Sequence, residues 1–220
     1  MADDGLTAVR LRVAVAAERA GRDPASVTIV AVSKAHTLDS IRTAYDAGHR
    51  DFGENRAAEL VAKSAELPAD IRWHFVGTLQ SRKASAVRPI VSLLHSLDRE
   101  KLIRAWSRGD PPCPPALVQV DLAGEQQKHG ADPGQVPGIL DQASAAGVPC
   151  VGLMIIPPQP ETPEDSRPWF RRLAELRARL HQRYPTLEHL SMGMTDDFEV
   201  AVEEGATLIR VGRAIFGPRI

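Results

Sequence analysis

Cysteine, tyrosine, one-sided charge and long apolar runs are all in short supply in this chain. Its two cysteines, Cys113 and Cys150, are far apart and fit neither a disulfide framework nor a zinc site, so a reducing, cytoplasmic setting is the simplest expectation. Lysine plus arginine total 27 and aspartate plus glutamate 28, a net charge of −1. That balance excludes a globally basic nucleic-acid binder, though not a local basic patch. No apolar run approaches the ~20 residues that cross a bilayer. The acidic start, Met1-Ala2-Asp3-Asp4, suits neither a signal peptide nor a mitochondrial presequence. Neither nucleic acid nor a membrane is therefore an expected partner. No carboxylate pair has a hydrolase arrangement, and no His/Cys/Asp cluster has metal spacing. Aromatics make up 5% of the residues, and Tyr45 and Tyr184 are the only two tyrosines.

What is present is a repeating alternation. Leu6, Val9, Val13, Ala16, Ala17 and Ala20 recur at helical spacing with charged residues between them. This predicts an amphipathic helix over 6–20, ended by Gly21 and packed on the body, since a stripe of mostly Ala and Val is a poor membrane face. Beyond it, short apolar runs alternate with helical patterns. The runs are Val27–Ser33, Arg50–Gly53, Trp73–Gly77, Val91–Leu97, Ala116–Leu122, Cys150–Ile156, His189–Met194 and Thr207–Gly212. Short, β-branched and separated by helices, they predict a parallel sheet. Eight such units point to an α/β fold, a closed (β/α)8 TIM barrel over 27–219 with 6–20 as an extra N-terminal helix. An open doubly wound sheet is the alternative, opposed only by strand count. At ~150 residues per domain, length alone leaves one domain or two undecided. Eight units are expected to use the chain up as a single domain, 1–220.

Helix ends fit this pattern. Thr37 can cap a helix whose Ile41, Ala44 and Tyr45 share a face, with Gly48 at its end. Asp98 can cap the segment of Leu102, Ile103 and Trp106. Phe170, Leu173, Leu176 and Leu180 form another stripe. Asp196 with Glu199 reads as a capping box, and Gly205 stands where a C′ glycine belongs. The proline-rich stretches 109–115 and 157–168 read as ordered surface loops.

In a parallel barrel the functional mouth lies at the C-terminal ends of the strands. Lys34 directly follows the first run, where poor solvation favours the neutral, nucleophilic amine. A lysine that snorkels to the rim is equally compatible with that position. At the other end of the chain Arg210 interrupts an apolar run. Gly212 there allows a ligand close to the backbone, and a short helix opens at Arg213 or Ala214. Turn N–H groups after strands seven and eight are the usual phosphate cradle of such a barrel. Ser191, Gly193 and Thr195 come from the seventh run, beside that cradle. The same glycines would also serve simple turns, and phosphate binding is the better of the two readings. Asn55 ends the second run, and His74 alone reads as a satisfied core histidine. Gln119 and Asp121 share a face of the fifth run, Met154 lines either core or pocket, and Lys128 reads as a surface lysine. An amine facing a phosphate cradle suits a phosphorylated aldehyde such as pyridoxal phosphate. Arg210, which only donates, would hold a pyridine nitrogen unprotonated.

Several blocks together carry a family resemblance. They are Val32-Ser33-Lys34, Phe52-Gly53-Glu54-Asn55-Arg56, Trp73-His74-Phe75-Val76-Gly77 with Leu79-Gln80-Ser81, Gly152-Leu153-Met154, Leu190-Ser191-Met192-Gly193-Met194, and Arg210-Val211-Gly212 with Ile215-Phe216-Gly217. In order from about Val27 to Arg219, they resemble the pyridoxal phosphate homeostasis proteins, the YggS/PROSC family. The resemblance implies one barrel related to the N-terminal domain of alanine racemase and pyridoxal 5'-phosphate as cofactor. It implies Lys34 as the Schiff-base lysine, Arg210 near the pyridine nitrogen, Asn55 near the ring, and Ser191, Gly212 and Arg213 near the phosphate. With His74 and Met154, these form the candidate cofactor-binding set; no catalytic residue or metal ligand is expected.

The chain departs from the family pattern at several positions. His36 stands where a second lysine is common, Thr78 for His, Asp121 for Asn, Thr195 for Ser, and Arg213 for a Ser or Thr, which removes a hydroxyl but keeps an N–H. Lys128 follows Gly124-Glu125 as a loop lysine does in the family and becomes a further ligand candidate. The implied function is a carrier or buffer in intracellular vitamin B6 homeostasis, a monomer whose partners are the cofactor and apo-enzymes that need it. The alternatives are a pyridoxal-phosphate-dependent amino-acid racemase on the same barrel, or a barrel that binds another phosphometabolite without a covalent bond. Racemisation needs acid–base groups on both faces of the cofactor. Neither tyrosine falls at the C-terminal end of a predicted strand.

Overall fold

Successive side chains of a strand point to opposite faces of its sheet, and this period of two builds the molecule twice over. In the computed structural model, which describes residues 2–125 and 129–218, the first strand, β1 (Thr28–Val32), sends Val30 and Val32 inward and Ile29 and Ala31 outward. Seven more strands repeat the division: β2 (Asp51–Glu54), β3 (Arg72–Phe75), β4 (Val91–Leu97), β5 (Ala116–Gln119), β6 (Cys150–Met154), β7 (His189–Ser191) and β8 (Leu208–Val211). All pair in parallel in chain order, and β8 returns to β1, with Val30 beside Arg210, to close the barrel. The inner apolar cluster is small: Val30, Val32, Val76, Leu93, Leu117, Met154 and Leu208. The outer cluster lies between the sheet and the helices and includes Phe52, Trp73, Phe75, Leu94 and Ile209. Burying each such aliphatic or aromatic side chain contributes ~1.5–3 kcal/mol, so the outer layer carries most of the stability.

The helices are α1 (Ala2–Arg19), α2 (Leu38–Asp46), α3 (Ala57–Glu66), α4 (Ala84–Val87), α5 (Glu100–Trp106), α6 (Val136–Ala145), α7 (Arg167–His181), α8 (Phe198–Glu203) and α9 (Arg213–Phe216). The expected barrel and its extra N-terminal helix are both present. That helix begins earlier than its apolar stripe suggests, at Ala2, with Asp3 and Asp4 in the first turn, where carboxylates favour the helix dipole. It packs on α8, α9 and α2, and Arg12 reaches Glu199 at 2.8 Å.

Thr37 caps α2, accepting from the Ser40 N–H, and Gly48 and Gly205 follow α2 and α8 with positive φ of 84° and 99°. Two caps differ from expectation. Arg99, not Asp98, stands at the N-cap of α5, and the Asp98 carboxylate pairs with it. The box of Asp196 and Glu199 does not form, because Asp196 pairs with Arg213 and Glu199 with Arg12. Asp197 holds that turn instead, accepting from the Met194 N–H at 2.6 Å. The 157–168 stretch is part loop and part helix, since Arg167 and Pro168 open α7. No helix among the described residues is long and apolar enough to cross a membrane.

Candidate functional site

β1 ends at Val32, and the next three residues are held from outside the barrel. Lys63 on α3 donates from Nζ to the Ser33 carbonyl, to Glu54 Oε1 and to Glu59 Oε1, each at 2.7 Å. Glu59 Oε1 also accepts from the Ala35 N–H at 2.7 Å. The two peptide units that flank Lys34 are therefore both clamped, one at its carbonyl and the other at its N–H. Ala35 sits in the left-handed region, φ 59°, a conformation that L residues adopt at a cost, and the Glu59 bond helps to hold it there. The Ser33 hydroxyl donates to Glu54 at 2.8 Å. Glu54 is wholly buried. Burial pushes its carboxyl above the ordinary range, against the pull of Lys63. Glu59 moves the other way: its desolvation is outweighed by Lys63 and the Ala35 N–H.

The result is that Lys34 stands half-buried on the rim of a cavity of about 820 Å³ at the C-terminal mouth of the barrel, within the ordinary size range of small-molecule sites. Asn55, Arg210, Gly212 and Arg213 line the same cavity, as do His36, Thr78 and Thr195. Asn55 is set by close packing: a Cβ on Gly77 would lie 2.5 Å from the Asn55 carbonyl oxygen. Its side-chain Oδ1 is buried without a hydrogen-bond partner among the described residues. Such an atom costs free energy unless a ligand supplies a donor. Gly212 passes so close to β1 that a Cβ there would sit 3.0 Å from the Val32 carbonyl oxygen. Immediately after it α9 begins, and the first N–H groups of a helix have no partner within it.

Arg210 forms part of the cavity wall beside β7. It donates from Nη1 to the Ser191 hydroxyl at 2.7 Å and from Nη2 to the Ile155 carbonyl at 2.8 Å. Burial brings its pKa down to about 10, which leaves it charged at neutral pH. Of the residues expected at the site, the structure brings Lys34, Asn55, Arg210, Gly212 and Arg213 together. Three lie below the cavity, inside the barrel. Met154 is in the inner apolar cluster, Ser191 is beneath Arg210, and His74 is hydrogen-bonded to His95 and Asp51. Register explains Ser191: it pairs with Leu208 at the start of β8, two residues below Arg210, and the hydroxyl that lines the cavity is that of Thr195, beyond the turn. Asp121 leaves β5 for the following loop, where its Oδ1 accepts from the N–H groups of Ala123, Gly124 and Glu125. Lys128 lies outside the described residues. Tyr45 donates to Asp70 and Tyr184 to Asp141, and neither lines the cavity.

Known proteins resemble this chain over nearly its whole length. Residues 5–219 match the family described as alanine racemase, N-terminal domain. The pyridoxal phosphate homeostasis protein of Aquifex aeolicus is 40% identical, over 97% of this chain and 96% of its own. The chain belongs to the pyridoxal phosphate homeostasis protein family. Among solved structures, PipY of Synechococcus elongatus is also similar. Without pyridoxal phosphate it is 38% identical, with a TM-score of 0.84 over 99% of this chain and all of its own (100%). With pyridoxal phosphate bound, the values are 37% and 0.82 over the same shares. The residues present here fit that group: a clamped lysine for its aldehyde, an orphaned amide oxygen on Asn55 for a ring substituent, and a narrow glycine turn opening a helix for its phosphate.

Proposed function

We propose that this chain holds pyridoxal 5'-phosphate in the mouth cavity as a Schiff base on Lys34 and serves the homeostasis of that cofactor. The observation that carries the reading is that Lys34, gripped on both flanking peptide groups, opens onto the same cavity as Gly212 and the start of α9. The lysine amine adds to the aldehyde carbon and water leaves; N–H groups at the start of α9 receive the phosphate. Thr195 adds a hydroxyl on that side, and Asn55 Oδ1 gains a donor. Arg210, fixed by Ser191 and Ile155 and unable to accept a hydrogen bond, faces the pyridine nitrogen as a donor and holds it unprotonated. Bound cofactor supplies an electrophilic aldehyde, and only a protonated ring makes it a strong electron sink. That pairing, with both tyrosines committed to outer-layer carboxylates, supports storage and delivery to apo-enzymes over turnover.

Purified protein mixed with the cofactor is expected to develop a visible absorption band that Lys34→Ala abolishes. A band of full intensity in Lys34→Ala would overturn the assignment. Chiral analysis of alanine after prolonged incubation tests the carrier reading, for which no interconversion is expected.

A further inference from the structure

The barrel interior contains a line of polar side chains that binding by itself does not require. From Arg210 Nη1 it runs to Ser191 Oγ at 2.7 Å, from there to His95 Nδ1 at 2.8 Å, from His95 Nε2 to His74 Nδ1 at 3.0 Å, and from His74 Nε2 to Asp51 Oδ1 at 3.2 Å. It crosses from β8 and β7 through β4 and β3 to the first residue of β2. There Asp51 is paired with Arg72 at the opposite end of the barrel from the cavity. His95 and Ser191 are fully buried and His74 nearly so. Polar groups in such a place are costly unless every one is satisfied.

With both rings neutral, the two ends fix the direction of every hydrogen. An arginine only donates, and an ionised carboxylate only accepts. Asp51 is ionised, because the always-charged Arg72 grips both of its oxygens, Nε to Oδ1 at 2.8 Å and Nη2 to Oδ2 at 2.5 Å. If His74 donates to Asp51 and both rings are neutral, His95 Nε2–H must donate to His74 Nδ1. His95 Nδ1 then accepts from the Ser191 hydroxyl, whose oxygen accepts from Arg210. Each donor has its acceptor. An extra proton on His74 would reverse the middle bonds and leave the Ser191 hydroxyl hydrogen without an acceptor among the described residues. It would also place a second buried cation near Arg210, and burial already keeps His95 neutral, well below its usual pKa.

We propose that Ser191, His95 and His74 are positioning residues for Arg210: a neutral, one-way relay through which Asp51 fixes how the guanidinium faces the cavity. Toward the cofactor this rests on the binding reading above; the direction of the relay does not. Loss of a middle link frees Ser191 to rotate, and with it the Arg210 Nη1 anchor.

Two measurements test it. Heteronuclear NMR of the imidazole nitrogens in the cofactor-free protein is expected to show His95 and His74 neutral, with hydrogen on Nε2 and none on Nδ1. Hydrogen on Nδ1 of either ring overturns the relay. The second compares His74→Phe with His74→Gln, which keeps one donor and one acceptor. His74→Phe is expected to weaken pyridoxal phosphate binding about 3- to 10-fold, the worth of one neutral hydrogen bond, and to move the absorption band of the bound form. His74→Gln is expected to restore both. A His74→Phe protein that melts earlier but keeps the wild-type band and affinity would show a structural role only and overturn the proposal. The predicted tautomers in a protein that takes up no cofactor would support the relay while defeating the binding reading.

Discussion

Two polar networks leave β2 in opposite directions, and they are built on different principles. The strand has four residues. Its last, Glu54, faces outward to Lys63 and, through it, to Glu59 and the backbone around Lys34. Its first, Asp51, faces inward and anchors the relay that ends at Arg210. The outer network concentrates charge: one ammonium meets two carboxylates and a carbonyl within bonding distance, and a segment containing the left-handed Ala35 is gripped as a result. The inner network keeps its charges at the two ends and spans the distance with neutral groups, so no further charge is buried beneath the cavity. Charge density suits a clamp, because a buried pair is strongly destabilised by losing either member. Neutral links suit a spacer, because a fixed donor direction sets orientation without adding a field.

The comparison can be broken most severely at Lys63. Lys63→Met strands Glu54 in the outer layer without its cation, and a loss of about 3–5 kcal/mol in denaturant unfolding is expected. The pair of changes Lys63→Met and Glu54→Leu should recover most of that loss, because well-packed apolar side chains can replace a buried ion pair. It should still weaken cofactor binding, since the grip on Ser33 and Ala35 is gone. A double variant that binds as well as wild type would show that the cluster serves stability alone.

A smaller effect separates the inner network by pH. Burial lowers the pKa of His95 in the native state, while the unfolded chain takes up a proton at the ordinary value of 6.5. Stability should therefore fall as pH drops through and below 6.5, in the direction set by greater proton binding to the unfolded state. His49 and His189 are also lowered by burial and add to the same limb. Denaturant melts at several pH values should show a shallower acid limb in His95→Gln, with the part due to those two histidines remaining. An unchanged slope would mean that His95 is charged in the native protein.

The smallest effect is expected outside both networks. Arg213 pairs with Asp196 across the cavity rim, where both side chains are more than half exposed. Exposed pairs of this kind contribute ~0–1 kcal/mol, so Arg213→Ser should leave the melting temperature almost unchanged. Cofactor affinity should also hold, because the Arg213 backbone N–H is untouched.

The barrel was legible because its evidence is periodic. Short apolar runs such as Val27–Ser33 alternate along the chain with helical stripes such as Phe170, Leu173 and Leu176. Lys34, Arg210 and Gly212 were legible for a different reason, since each stands out against an apolar strand end. What escaped depends on how neighbouring strands are registered or on which distant groups meet. The seventh run and the residue after it offer two hydroxyls, and only the register, which sets Ser191 level with Leu208 at the start of β8, leaves Thr195 as the one that lines the cavity. Lys63 lies within an unremarkable helix, and only the fold brings it behind Lys34. His74 reads alone as a satisfied core histidine, and that is its local state; its partners come from β2 and β4 and carry no sequence signal.

The most direct test of the account is where the cofactor becomes attached. After incubation with pyridoxal phosphate and reduction with borohydride, the protein would be digested and its peptides analysed by mass spectrometry. A single modified site at Lys34, lost in Lys34→Ala, is the expected result. Modification spread over surface lysines, with Lys34 unmodified, would contradict it.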